Sequence, residues 1–367
     1  MLAKTFTQID PAPLPRRHGV VASCSGGTER SLTLLAPPHS AEQSHGPIGT
    51  MAGLRRLAGR VVVTAAAGLV KSGLTSHFEG PGLVSILFHG LGTDRDEEFS
   101  DQVDPLNPIT VAEFAATVNH FKAKNYRFVG PDDIRNGLDP GGRYVWLTID
   151  DGYATNLRAL PVLEAADAKA TFFISTNNVL TGQGFWWDAL WRGLRRQGML
   201  PAEIVRQREL LKLKHWQAIE EDIANQWGYG AFDPVSERDR PLSVSELKTL
   251  AAHRCVNLGN HTRNHAILTC LSREEVIEQV AGCQADIARM TGGEPISIAY
   301  PNGSTNHEVA GAVAELGFSS GLGCRMGRNM IPIGHEARFN LRRDVIRQGL
   351  DVVSQCDAIA IGLRRYL

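Results

Sequence analysis

The sequence predicts an α/β fold built on a parallel sheet or barrel. From residue 80 onward, short apolar runs rich in β-branched and aromatic residues recur between stretches of helical periodicity. Most of these runs are continuous rather than alternating, as strands covered on both faces require. Repeated strand–helix alternation is the pattern of parallel α/β architectures.

The expected strands are Leu83–His89, Tyr126–Val129, Tyr144–Asp150 and Lys169–Ser175, followed by Val256–His261, Ser297–Pro301, Phe318–Leu322 and Leu341–Ile346. Between the first two, Thr110–Asn125 carries Val111, Phe114, Val118 and Phe121 at a period near 3.6, an amphipathic helix. Ser243 with Glu246, and Ser272 with Glu275, have the spacing of capping boxes and so start two further helices. The second of these ends at Gly292 and Gly293. A charged, helical stretch from Arg192 to about Arg240 is read as an insertion, with its RQRELLKLKHW run on a solvated face.

The residues before this region differ in character. The first 50 are rich in Pro, Gly and Ser and read as a disordered leader. Residues 51–80 then open with Met51, a candidate start of translation. They carry Arg55, Arg56 and Arg60 before an apolar run from Val61 to Val70. That run is too short to span a bilayer and reads as an N-terminal amphipathic helix or a signal-like segment.

In the 367 residues, 43% are hydrophobic and 21% charged, enough for a substantial core. A formal net charge of −1 gives no basic field that would call for nucleic acid. The six cysteines form no CxxC pair and read as buried thiols, not a disulfide framework. Together with the absence of a clean signal they favour the cytoplasm. The stretch from Arg55 to Val70 leaves membrane association or a periplasmic location open.

Two motifs carry chemistry. In LTIDDGY, Asp150 and Asp151 stand side by side at the end of an apolar strand, an arrangement that costs free energy unless a positive group relieves it. In GNHTRNHAIL, His261 and His265 are four apart, a spacing that puts both imidazoles on one face of a helical turn. Two imidazoles and a carboxylate make a sound first-row metal site with positions left for water. With a cation on one aspartate, its neighbour stays free to accept a proton.

TIDDGY, NHTRNH and AYPNG, in this order and spacing, resemble the polysaccharide deacetylases (the NodB-homology group, carbohydrate esterase family four), and the resemblance covers roughly residues 80–350. It implies a distorted (β/α) barrel over 81–367, with the helical insertion at about 185–245, and hydrolysis of an N-acetyl group from an amino sugar of a glycan or glycoconjugate. By the same resemblance Asp150 is the general base, and Asp151, His261 and His265 hold zinc or another divalent ion. The resemblance also implies that the amide of Asn302 is the oxyanion donor, on a loop shaped by Pro301 and Gly303, with Tyr300 and Pro301 beside it as substrate-binding residues. An O-acetyl ester or another linear amide as substrate, and a carbohydrate-binding domain without catalysis, are the alternatives.

The sequence departs from the family pattern twice. Ala299 stands where an arginine would orient the base, and Arg342 or Arg343 is the expected substitute. The Leu-x-His motif of the general acid is missing, which leaves His335 and His89 as candidates. In FWWDALWRGL at least one tryptophan, Trp187 first, is expected against a sugar ring, with Asp188 on a sugar hydroxyl.

Overall fold

The computed structural model describes residues 79–94, 103–104, 109–347 and 350–362. The expected leader, almost all of the segment 51–80, and Cys24 lie outside the described residues. Ten strands follow in chain order: β1 (Gly82–Phe88), β2 (Leu91–Gly92), β3 (Ile109–Thr110), β4 (Arg127–Phe128), β5 (Arg143–Ile149), β6 (Ala170–Ile174), β7 (Val256–Asn260), β8 (Ser297–Ala299), β9 (Ser320–Leu322) and β10 (Asp344–Val345). All eight expected strands are present, and β2 and β3 are short additions.

Eight strands form one sheet in the order β10–β1–β5–β6–β7–β8–β9, with β4 beside β5. Every pairing in it is parallel. The sheet curls until one short segment meets both edges. Leu341 bonds to β9 through Gly321 and Gly323, and Asp344–Val345 pairs with β1 as β10. This seam makes a distorted barrel of the sheet.

Side chains along each strand point alternately inward and outward. Val145, Leu147 and Ile149 of β5 join Val84, Ile86 and Phe88 of β1 in the core beneath the helices. Tyr144 and Trp146 face inward with Leu83, Phe173 and Leu341. The same inward row continues through Thr148, whose hydroxyl donates to the Ile86 carbonyl, and reaches Asp150 at the rim. The strand period therefore delivers Asp150 to the barrel's upper opening.

Helices pack around this sheet where the periodicity placed them. Val111–Ala123 starts at a Thr110–Glu113 capping box and buries Phe114, Val118 and Phe121. Full burial of each such side chain is worth about 1.5–3 kcal/mol. Arg273–Thr291 starts at the Ser272–Glu275 box and stops at Gly292 in a left-handed conformation. The insertion holds three helices, Trp186–Arg196, Pro201–Leu211 and Trp216–Trp227. Its charged run is not wholly solvated: Gln207 and Arg208 are buried, because Arg208 reaches inward to the carboxylate of Asp104. Among the described residues no helix is long and apolar enough to cross a membrane.

The described cysteines are all free, as expected, but not all are buried, since Cys324 is exposed. The helix Val244–Ala251 depends on its first turn, where Ser243 and Glu246 bond reciprocally. The Arg240 guanidinium, with Ser243, holds the Glu246 carboxyl down at about 2. Ser243→Ala should lower the unfolding free energy by about 1 kcal/mol in a urea titration. Glu246 titrates lower in the folded chain, so its stabilisation is complete above the ordinary carboxylate range and fades as pH falls towards about 2. Glu246→Gln should remove that acid-side loss, and an unchanged pH dependence would contradict the assignment.

Candidate metal centre and its cavity

At the end of β5 the chain turns sharply through two residues with positive φ, Asp151 at 77° and Gly152 at 89°. A side chain on Gly152 would also crowd Ile174. Asp151 is one of the few residue types that tolerate this conformation. The turn sends the two neighbouring carboxylates in different directions. Asp150 meets Arg343, whose Nη1 lies 2.8 and 2.9 Å from its two oxygens. Both side chains are almost wholly buried, and Arg343 also donates Nε–H to the Gly323 carbonyl at 2.8 Å. Of the two arginines expected as substitutes, Arg343 reaches the carboxylate. Leu341 and Arg343 are two apart on the seam and point inward, whereas Arg342 points outward and donates to the Met326 carbonyl.

Asp151 faces the histidines instead. Its Oδ1 lies 3.2 Å from His261 Nε2 and 3.4 Å from His265 Nε2. One donor atom from each of the three residues falls within 4.8 Å of the other two. The expected helical turn is absent. His261 follows β7, and Thr262 and His265 take positive φ values of 62° and 49°. A loop, not a helix, brings the rings together.

Helix Arg273–Thr291 pins that loop. The Gln279 carbonyl accepts from the Arg263 N–H and its side-chain oxygen from the Asn264 N–H, and Arg263 pairs with Asp286. His261 Nδ1 lies 2.7 Å from the Ala299 carbonyl oxygen, which orients the ring towards Asp151.

The donor set fits a divalent cation. Asp151 Oδ1 is buried and makes no hydrogen bond, although two ring nitrogens face it. A buried oxygen left in that state is costly, and a cation shared with the two imidazoles satisfies it.

A cavity of about 230 Å³ opens beside these residues. The Pro301–Gly303 turn lines it from the β8 edge. Gly303 has a φ of 67°, and a side chain there would collide with Cys324. Asn302 has a φ of 58°, and the turn uses the N–H groups of Gly303 and Ser304, not that of Asn302. His89, at the end of β1, also lines the cavity, with a buried Nδ1 that has no partner. A larger groove of about 820 Å³ lies across the seam, lined by Arg325 and Arg342 but by none of the motif residues. Cys324 and Arg343, one residue away, line the smaller cavity beside the motif residues.

Four expectations need correcting. His335 is exposed, packs on Phe339 and does not line the cavity, so it is not placed to serve as the acid. The Tyr300 ring is fully buried with its hydroxyl on the Phe339 carbonyl, so its side chain is not placed to meet a substrate. Asp188 is fully buried and accepts from the Asp104 N–H and the Tyr153 hydroxyl, so no sugar reaches it. Trp187 borders the cavity but is only 8% exposed, and its indole N–H is bonded to Tyr153. Tyr153, Thr148 and Arg208 were not singled out as site residues. For Thr148 the signal was available, because it is two residues before Asp150 on an inward-facing row.

The sequence pattern of the polysaccharide deacetylases matches residues 137–321, about half of the chain. The chain belongs to the polysaccharide deacetylase family. The match contains Asp150, Asp151, His261, His265 and the Pro301–Gly303 turn, whereas His89 and Arg343 lie outside it. No curated protein matches the sequence.

Solved structures share the fold. The deacetylase PplD of Streptococcus pyogenes, solved with acetate, is 17% identical with a TM-score of 0.53, over 76% of this chain and 99% of its own. IcaB of Ammonifex degensii is 19% identical with a TM-score of 0.52, over 77% and 98%. The polysaccharide deacetylase BC0361 of Bacillus cereus is 16% identical with a TM-score of 0.52, over 77% and 69%.

Burial and neighbouring charge act in opposite directions on the triad. Burial pushes the Asp151 carboxyl up, but the two imidazoles beside it bring it well below the usual carboxylate range. Burial pushes His261 down, yet the charges of Asp150 and Asp151 outweigh it and hold His261 above the ordinary imidazole value. At His265 burial wins and the value is lowered. A cation held by His261 Nε2 has to displace any proton which that nitrogen carries. Zinc affinity should rise with pH through the His261 transition and level off above it, with one proton released per zinc below it. Calorimetry in buffers of different ionisation enthalpy measures that proton, and its absence on the acid side would contradict the assignment.

Proposed function

We propose that the chain is a metal-dependent hydrolase that removes an N-acetyl group from an amino sugar in a glycan or glycoconjugate. The observation that carries this reading is the division of labour between the adjacent aspartates. Asp150 is clamped by Arg343 at the mouth of one cavity, while Asp151 turns away to join His261 and His265.

Asp151, His261 and His265 would hold the cation, and zinc suits two imidazoles and a carboxylate. When bound, it would supply Lewis acidity to the amide carbonyl and acidify water. The chain's own groups account for the proton transfers. Asp150 accepts a proton as the water oxygen bonds to the carbonyl carbon. Arg343 keeps that carboxylate in one orientation through its paired contact. The Asn302 N–H, left free by its turn, is available to the developing oxyanion. As the carbon–nitrogen bond breaks, His89 gives the departing nitrogen its proton, so acetate and a free amine leave. Of the two histidines considered as acid, His89 alone lines the cavity. Trp186 and Trp187 border the cavity and make that side of it apolar.

The test is acetate release from N-acetylated chito-oligosaccharides by zinc-loaded protein, with O-acetylated sugars run in parallel. Asp150→Asn should keep zinc and lose activity by roughly 100- to 10,000-fold, the range of a general base. His89→Gln should lower turnover by less than Asp150→Asn does. Retained turnover in Asp150→Asn would refute the assignment of the base. Release from esters alone would replace the amide by an O-acetyl substrate.

A further inference from the structure

The two imidazoles of the triad are held by different means. His261 has the Ala299 carbonyl behind it, 2.7 Å from Nδ1. His265 has no such acceptor, and its Nδ1 is buried and without a partner. A ligand imidazole ordinarily ties its second nitrogen to a carboxylate, a carbonyl or water, and that bond sets the ring's orientation. Aromatic surface meets His265 instead. The Trp187 ring lies 4.6 Å away at 63°, and Phe185 lies 6.1 Å away at 76°.

Trp187 is itself unusually well fixed. It stacks on Phe185 at 4.6 Å and 13°, and meets Trp186 edge-on at 5.5 Å. Its Nε1–H donates to the Tyr153 hydroxyl at 2.8 Å, and that hydroxyl donates to Asp188 at 3.0 Å. The other Asp188 oxygen accepts from the Asp104 N–H at 2.9 Å. The Asp104 carboxylate accepts both its bonds, at 2.7 and 2.6 Å, from Arg208 in the inserted helix Pro201–Leu211. Every member of this chain is buried. By contrast Trp146, an indole inside the barrel, is held by a single bond to Thr171. A buried polar chain of this length is costly unless it is fully satisfied, and it rigidifies what it holds.

We propose that Trp187 is a positioning residue of the metal centre. Its ring, locked by the Tyr153–Asp188–Asp104–Arg208 chain, holds His265 in ligating orientation where a hydrogen-bond acceptor is missing. The helical insertion thereby sets the affinity for the cation. An aromatic face accepts an N–H only weakly, so the contribution is orientation more than bond strength. This rests on the reading that Asp151, His261 and His265 bind a divalent ion.

The experiment is zinc competition with a chromogenic chelator, without substrate and well below the unfolding transition, together with the visible spectrum of the cobalt(II) form. Trp187→Leu should weaken zinc binding by roughly 10- to 100-fold and alter the cobalt bands, while Trp187→Phe, which keeps an aromatic face, should recover most of the loss. Tyr153→Phe leaves the indole in place but releases it, and should give an intermediate loss even if Trp187→Leu fails to fold. Phe121→Leu, in the core under the outer helices, should lower the melting temperature without changing zinc affinity.

Wild-type zinc affinity and an unchanged cobalt spectrum in Tyr153→Phe and in folded Trp187→Leu would overturn the inference, whatever their melting temperatures. Wild-type protein that binds zinc but releases no acetate would refute the proposed function and leave this inference in force. Protein that binds no zinc would remove both.

Discussion

The buried ion pair between Asp150 and Arg343 is the constraint on which the site depends. Asp150 arrives at the rim because it ends an inward-facing row on β5, and a carboxylate so deeply buried needs a partner that is also buried. Arg343 comes from the far end of the chain, on the segment that bonds to both edges of the sheet. The proposed base therefore has its orienting partner only when the barrel is closed. A pair of this kind adds little net stability over an apolar core, but losing one partner is severe because the other is left charged and alone.

That pairing also resolves the problem of two adjacent carboxylates. The left-handed turn at Asp151 and Gly152 aims one aspartate at a guanidinium and the other at two imidazoles. The neighbours then sit in different environments, which a division between proton acceptor and metal ligand requires. The insertion serves the same end from the opposite side. It wraps an aromatic wall against His265 and anchors that wall through a chain that ends at Arg208.

Much of this was legible in the sequence. Strands buried on both faces leave continuous apolar runs, and capping boxes mark helix starts because the bonds that make them are local. The adjacency of Asp150 and Asp151 and the recurrence of His261 and His265 likewise survive in linear order. What failed was non-local or conformational. Four-residue spacing in NHTRNH suggested a helix, but helix Arg273–Thr291 holds the segment as a loop with two left-handed residues. His335 and Asp188 have suitable chemistry, and only the fold shows one to be exposed and the other sealed in. Arg342 and Arg343 could not be separated until the inward register of Leu341 was visible.

The most direct test of the account is a double-mutant cycle on the seam, with Asp150→Asn, Arg343→Met and the double variant unfolded in urea. Arg343→Met alone should cost about 3–5 kcal/mol, and the double variant should cost clearly less than the sum of the singles. Costs that add to within about 0.5 kcal/mol would mean that the two groups do not interact, and the link between barrel closure and the proposed base would be lost.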